Sequence, residues 1–243
     1  MEEVEARNFQ NLMYNLNRMR LNNKEHIKKY SNIRKTYNEI VQSMLQYIYN
    51  GNYNIIDNYK TIYNDVKDEI KGIKVDLRFE NENDITILSD LFMYKNHPKL
   101  TSIIEIYLKK NKLKNKDKVK ILNCMNNSYL GLFKIVGVDP SNGYVTYEDV
   151  LTKKKYKIID VSMSSTLIID KNNSLYMYNR IITVDDISFG TGLHCAMTSK
   201  NELLQKFIKS NNYKKVSNFS RSIILYDISK KEEGLTLVQN HNY

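Results

Sequence analysis

Apolar side chains recur every three or four residues along the first third of the chain. The pattern is clearest after residue 23, where the stripe comprises Tyr30, Ile33, Tyr37, Ile40, Met44 and Tyr47. This spacing places the stripe on one side of an α-helix. Similar stripes flank it at residues 9–19 and 55–70. We therefore predict a helical bundle over residues 1–72, with Gly51 at a helix end, because glycine accepts the left-handed conformation there.

The period of the pattern then changes from helical to extended and back. Residues 73–79 alternate between apolar and charged side chains, which is typical of a half-buried strand. Helical spacing returns at residues 85–94, and Ser102 with Glu105 forms a capping box that starts another helix. A short helix is predicted around residues 119–125. Residues 73–128 are thus predicted to be a mixed helical segment with one strand.

Short apolar runs separated by turn-forming residues predict an antiparallel β-module over residues 129–198. Asn142-Gly143 lies between two such runs and is a strong hairpin signal. Further turns are expected at residues 152–155, at 170–174 and at the Asp185-Asp186 pair. Five or six short strands favour a small barrel or a strongly bent sheet.

The last segment, residues 199–243, is predicted to be a C-terminal helix and tail. Ser199 with Glu202 forms a second capping-box pattern before an apolar stripe. Residues 223–228 fit either a strand or a helix. The whole chain is therefore expected to have an α+β fold, with an N-terminal helical bundle, a small antiparallel β-barrel-like module and a C-terminal helix.

Several short runs in the middle of the chain occur in the same order in a known group of proteins. The runs are residues 92–94, 101–108, 131–135, 147–152 and 156–160, followed by Arg180. Over residues 90–198 the chain resembles uncharacterised bacterial proteins, some of which carry a C-terminal SEC-C zinc motif. The resemblance implies a helical segment that leads into a small β-module, and it supplies no catalytic residues. The cysteine-rich zinc motif is absent, since the chain has 2 cysteines.

Composition and charge limit the classes of function. The hydrophobic fraction of 42% and the charged fraction of 26% are those of a globular protein. No apolar stretch approaches the roughly 18 residues of a membrane-spanning helix, and no signal-peptide pattern is present. We therefore expect a cytoplasmic protein without a membrane partner. Cys124 and Cys195 lack metal-type spacing, so no metal and no cofactor are expected.

The formal net charge of +10 suggests an anionic partner, of which nucleic acid is the commonest. Two lysine clusters are the candidate contacts, at a helix junction and in a hairpin turn. They comprise Lys109, Lys110, Lys112, Lys114, Lys116, Lys118, Lys120, Lys153, Lys154 and Lys155. Lysine contacts phosphate as a point charge, so these groups would add affinity without sequence choice. The alternative is a set of solvated side chains that complement helix ends and turns.

Two smaller features would support a nucleic-acid site if the fold brought them together. A third basic cluster comprises Arg18, Arg20, Lys24, Lys28 and Lys29. Of 19 tyrosines, Tyr144, Tyr147 and Tyr156 on the β-module are the candidates for stacking on bases. Packing in the core is the alternative role for these rings.

A separate polar set defines a candidate ligand site, comprising Asp160, Ser164, Ser165 and Arg180. A carboxylate, two hydroxyls and a guanidinium near successive strands can bind a small anion or polarise a substrate. The alternative is an Asp160–Arg180 pair that fixes the sheet register. His194 and Cys195 are neighbours, and neighbours on a strand point to opposite faces, so a catalytic pair is not expected.

Three hypotheses follow. The first is a non-enzymatic basic binding protein that contacts nucleic acid through lysine clusters near the β-module. The second is a protein–protein adaptor or regulator that self-associates or binds a partner through residues 1–72. The third is a small-ligand sensor or enzyme that uses Asp160 and Arg180.

Overall fold

The computed structural model describes residues 21–54, 57, 67, 89–94, 101–110, 115–167, 174–191, 193–210, 212–231 and 236–238. Several predictions lie outside these residues: the flanking stripes of the N-terminal bundle, the strand at residues 73–79 and the turn at residues 170–173. Arg18, Arg20, Lys112 and Lys114 also lie outside them.

Helix α1, Lys24–Tyr47, forms from the central apolar stripe, which is buried except at the half-buried Tyr47. The rings of Tyr30 and Tyr37 pack edge-on against Phe189, with centroids 5.9 and 5.6 Å apart. The helix passes into a wider turn, Ile48–Asn52, in which Gly51 has φ 74°, as predicted for a helix end. The stripe packs into a core that also includes Leu91, Phe92 and Ile121; association through residues 1–72 stays a prediction.

Two shorter helices follow, α2 at Ile103–Lys110 and α3 at Lys116–Asn126. The Ser102–Glu105 capping box is confirmed by a 3.0 Å and a 3.1 Å hydrogen bond between the two residues. Helix α3 begins at Asn115, whose side chain accepts from two amides of the first turn. It packs against α1 and against the sheet.

The sheet is antiparallel throughout. Its strands are β1 Tyr129–Asp139, β2 Tyr144–Asp149, β3 Lys155–Ile159, β4 Leu175–Val184, β5 Ile187–Gly190, β6 Leu193–Thr198 and β7 Thr236–Val238. The order is β3-β2-β1-β4-β6-β7, and β5 pairs with β4. An irregularity between Ile135 and Gly137 bends β1.

Strands β1–β5 curl into a half-barrel, and helix α4, Val161–Thr166, connects β3 to β4. The curl brings β3 close to β5, although no hydrogen-bonded ladder joins these two described strands. The α+β prediction is confirmed, but the predicted small barrel is only a half-barrel. Its interior contains Phe133, Ile135, Val145, Tyr147 and Met177, together with Met163 from α4.

The C-terminal segment covers the outer face of the sheet with helices α5 Glu202–Lys209, α6 Asn212–Lys215 and α7 Asn218–Lys231. Their apolar side chains pack with Leu130 and Leu132 of β1. Residues 223–228 are helical. The Ser199–Glu202 capping box is wrong, because Asn201 caps α5 through a 2.6 Å bond from Leu204 N. Ser199 Oγ instead accepts from Ser174 N.

Among the helices within the described ranges, none is both long and apolar enough to cross a bilayer.

Candidate functional site

The half-barrel opens beside α3, at the end where β1 begins. A cavity of about 210 Å³ lies there, lined by Asn123, Cys124, Asn127, Tyr129, Tyr156, Ile181 and Thr183. We call these seven residues the mouth. A single water needs only about 10–15 Å³ of such volume, so the mouth has room for a much larger group. Openings of β-barrels are common positions for ligand sites.

Two tyrosines form an aromatic platform in the mouth. The rings of Tyr129 and Tyr156 lie 15° from parallel, with centroids 5.8 Å apart. Phe133 supports both rings edge-on, at 6.0 and 5.7 Å. The ammonium group of Lys154 lies 5.0 Å from the centroid of Tyr156. The platform thus combines flat apolar surface with positive charge.

Asp149 holds the platform in place from inside the half-barrel. Its side chain is fully buried, and Oδ2 accepts a 2.8 Å hydrogen bond from the Tyr129 hydroxyl. Burial and this carboxylate raise the pKa of Tyr129, so its hydroxyl stays protonated and continues to donate. The backbone of Gly131 passes so close that a Cβ there would lie 2.9 Å from Asp149 Oδ2. The close approach therefore requires glycine.

The other oxygen of Asp149 organises the turn between β2 and β3. Oδ1 accepts from Leu151 N at 2.8 Å and from Thr152 N at 2.6 Å. Lys153 takes the left-handed conformation in this turn, with φ 60°. The three predicted turn lysines, Lys153, Lys154 and Lys155, are all exposed. One buried carboxylate thus orders both the platform tyrosine and the basic turn next to it.

The other lysine cluster is divided between neighbouring acids. Lys118 pairs with Glu39 at 3.0 Å, and Lys120 pairs with Asp185 at 2.6 Å. At the end of α2, Lys110 donates to the Tyr47 hydroxyl at 2.7 Å. Lys116 lies exposed in the first turn of α3, and Lys109 in the last turn of α2. Two of these lysines are thus paired with carboxylates from other elements.

The polar set around Asp160 and Arg180 is not brought together as a ligand site. Asp160 caps α4 by accepting from Met163 N at 2.8 Å. Ser164 and Ser165 donate to the carbonyl of Val161 in the same helix. Burial raises the pKa of Asp160, and the nearby Arg34 opposes that rise. The Asp160 carboxylate therefore caps the helix that it precedes.

Arg180 has a different carboxylate partner from the predicted one. Its guanidinium lies 3.3 Å from Asp90 Oδ2 and 4.0 Å from the centroid of the Tyr94 ring. It also donates to Ser128 Oγ at 3.2 Å. The sheet register explains why Arg180 is separated from Asp160. Arg180 pairs with Leu130 at the start of β1. Ile159, next to Asp160, pairs with Tyr144, and Tyr144 pairs with Asp139 at the end of β1.

The three candidate stacking tyrosines have separate environments. Only Tyr156 lines the mouth. The hydroxyl of Tyr147 donates to the sulfur of Met163 in the buried interior, at 3.7 Å. The hydroxyl of Tyr144 lies 3.1 Å from Asn23 Nδ2 and 2.9 Å from His26 Nδ1, against α1.

The mouth is lined by two amides, two phenol rings, a hydroxyl, a thiol and one aliphatic side chain. Burial raises the pKa of Cys124, the one thiol that lines the mouth, so it stays protonated at neutral pH. Burial raises the pKa of Cys195 to about 12. Within the part of the chain that the structure describes, no three His, Cys, Asp or Glu residues cluster as a metal site would require.

Sequence reasoning missed Asp149 and every residue of the mouth except Tyr156. Asp149 begins the segment Asp-Val-Leu-Thr, in which an acidic residue can accept from amides two and three residues later. That local signal was available. The position of α3 beside the start of β1 depends on tertiary packing, so no local pattern indicated that the side chains of Asn123 and Asn127 line the mouth.

Comparison with known proteins adds a family but no activity. A family model described as a family of unknown function (DUF7986) matches residues 24–239. The chain belongs to this family. The match includes the half-barrel, the mouth and the C-terminal helices. No curated protein matches the chain, and no solved structure does.

Proposed function

We propose that this member of the family is a non-enzymatic protein that binds single-stranded nucleic acid at the mouth of the half-barrel. The observation that carries the proposal is the Tyr129–Tyr156 platform, which lies in an open cavity beside an ordered basic turn. Proteins that bind single strands combine aromatic rings, on which bases stack, with a positively charged track for the backbone.

The proposed geometry gives each group one task. An unstacked base packs on the rings of Tyr129 and Tyr156, within the 210 Å³ cavity. Asn123 and Asn127 line the same cavity, and amide side chains can pair with the hydrogen-bonding edges of bases. Lys153, Lys154 and Lys155 contact the phosphates on either side. Duplexes are disfavoured because their bases are already stacked on one another.

The architecture supports the same proposal. We infer that β1–β5 act as a small, partly open barrel, with α4 between its third and fourth strands. OB-folds are five-stranded, partly open barrels that bind oligonucleotides across strands 2 and 3 and the adjoining loops. Tyr156 lies on β3, one of the two corresponding strands of this sheet, and the basic turn joins β2 to β3.

Fluorescence anisotropy with a labelled single strand of about 10 nucleotides tests the proposal. We expect binding at about 50 mM salt that weakens steeply towards 200 mM. Tyr156→Leu should weaken binding by roughly 5- to 150-fold, since stacking on one ring contributes about 1–3 kcal/mol. Tyr156→Phe keeps the ring and should bind like the wild type.

Tyr49→Leu is the matched control for the ring, because Tyr49 is 75% exposed on the turn after α1. For charge, the double variant Lys154→Glu and Lys155→Glu should lower both the affinity and the salt dependence. Lys206→Glu with Lys209→Glu changes the net charge equally on α5 and should have a smaller effect. Undetectable binding at about 50 mM salt would contradict the proposal. So would control variants that lose as much affinity as the Tyr156 and Lys154–Lys155 variants.

A further inference from the structure

The turn between β4 and β5 holds two lysines from different helices around one carboxylate. Asp185 Oδ1 lies 2.6 Å from Lys120 Nζ of α3, and Asp185 Oδ2 lies 3.9 Å from Lys29 Nζ of α1. Lys29 also pairs with the next residue, Asp186, which in turn lies 3.1 Å from His26. Two ammonium groups therefore converge at this turn.

Lys120 and Asp185 lie next to residues that line the mouth. Thr183, two residues before Asp185 on β4, lines the mouth, and so does Cys124, one helical turn after Lys120 on α3. Both charged groups also act on the pKa of the Cys124 thiol, which Lys120 lowers and Asp185 raises. A strand whose base occupies the mouth would thus bring a neighbouring phosphate close to Lys120.

The backbone of the turn does not require the carboxylate. Asp185 has φ 56°, a left-handed conformation that asparagine adopts as readily as aspartate. The carboxylate therefore contributes chiefly through Lys120 and Lys29. These pairs are exposed, with 43% of the Asp185 side chain and 49% of the Lys120 side chain accessible to solvent. Exposed ion pairs are weak and exchange readily with other anions.

We propose that Lys120 and Lys29 form a phosphate-binding pair for the strand that enters the mouth, and that Asp185 occupies this pair when no nucleic acid is bound. The inference rests on the proposed function. Binding then exchanges one anion for another: a phosphodiester replaces the Asp185 carboxylate on Lys120 and draws Lys29 from its pairs with Asp185 and Asp186. Asp185 thereby weakens binding and makes it more selective for strands whose base also fits the mouth.

The test measures the affinity of Asp185→Asn for the same labelled single strand. We expect binding about fivefold tighter than the wild type, with a salt dependence steeper by about one unit, because Lys120 no longer has to leave a carboxylate before it contacts phosphate. Glu202→Gln is the charge-matched control, since Glu202 lies exposed on α5 and pairs only with Lys206 within 4 Å among the described residues. It should bind like the wild type.

A second variant separates a lysine site from a general charge effect. Adding Lys120→Gln to Asp185→Asn should abolish the gain, whereas adding Lys209→Gln should preserve it. A gain in affinity cannot come from unfolding, so poor folding cannot imitate the expected result. If the wild type binds and Asp185→Asn binds no better than Glu202→Gln, this inference fails and the proposed function stands. If no variant binds at about 50 mM salt, both fail.

Discussion

Gly131 gives the sharpest test of how the platform is held. A Cβ at this position would lie 2.9 Å from Asp149 Oδ2 and 3.0 Å from both Phe133 Cζ and Tyr129 Cε1. Overpacking of a core costs about 1–3 kcal/mol. Disturbing the hydrogen bond from Tyr129 to a charged acceptor adds about 1.5–3 kcal/mol. We therefore expect Gly131→Ala to lower the free energy of unfolding by about 3 kcal/mol.

Urea denaturation followed by circular dichroism measures this loss. With a urea dependence of about 3 kcal/mol per molar, the midpoint should fall by about 1 M. Gly137→Ala on the same strand is the control, because its nearest contacts, to Thr146, are 3.5 Å and need no rearrangement. Its midpoint should stay close to the wild-type value. Equal midpoints for the two variants would refute the proposed close approach of β1 to Asp149.

Three further predictions concern groups outside the platform. Asp90→Asn should lower the free energy of unfolding by about 3–5 kcal/mol in urea denaturation, because it removes the Asp90 carboxylate from the buried guanidinium of Arg180. The exposed pair of Glu202 and Lys206 should contribute under about 1 kcal/mol in the same assay. Burial raises the folded-state pKa of Asp160, so the wild type should gain stability relative to Asp160→Asn as the pH falls through that pKa; denaturation midpoints across pH that stay parallel would contradict this. A thiol titration near pH 8 should find one fast-reacting cysteine in the folded chain, Cys124, and both in urea, since Cys195 is buried.

Local patterns predicted most of the secondary structure. The β-module predicted over residues 129–198 contains β4, and the predicted turn at Asp185-Asp186 joins β4 to β5. Such elements follow from the period of apolar residues and from turn chemistry, which are properties of neighbouring residues. The capping box at Ser199 fails because a second capping residue, Asn201, lies closer to the apolar stripe and is held by its own bond to Leu204 N.

The site itself depends on contacts between distant residues. Arg180 pairs with Asp90, 90 positions earlier in the chain, and no spacing rule connects the two. The lysines of α3 looked like one basic cluster in the sequence. The fold places Glu39 and Asp185 against two of them, whereas the turn lysines are exposed beside the mouth. A run of lysines in the sequence therefore predicts a basic surface poorly when acidic partners come from other elements.

Alkylation of Cys124 during nucleic-acid binding tests the central claim most directly. Cys124 lines the mouth, and Cys195 is buried, so the fast modification rate reports on one position. We expect a saturating single strand to slow this rate at least tenfold in the wild type, while Tyr156→Leu at the same strand concentration shows much less protection. If the strand binds by anisotropy but Cys124 reacts at its unliganded rate, the mouth is not the binding site.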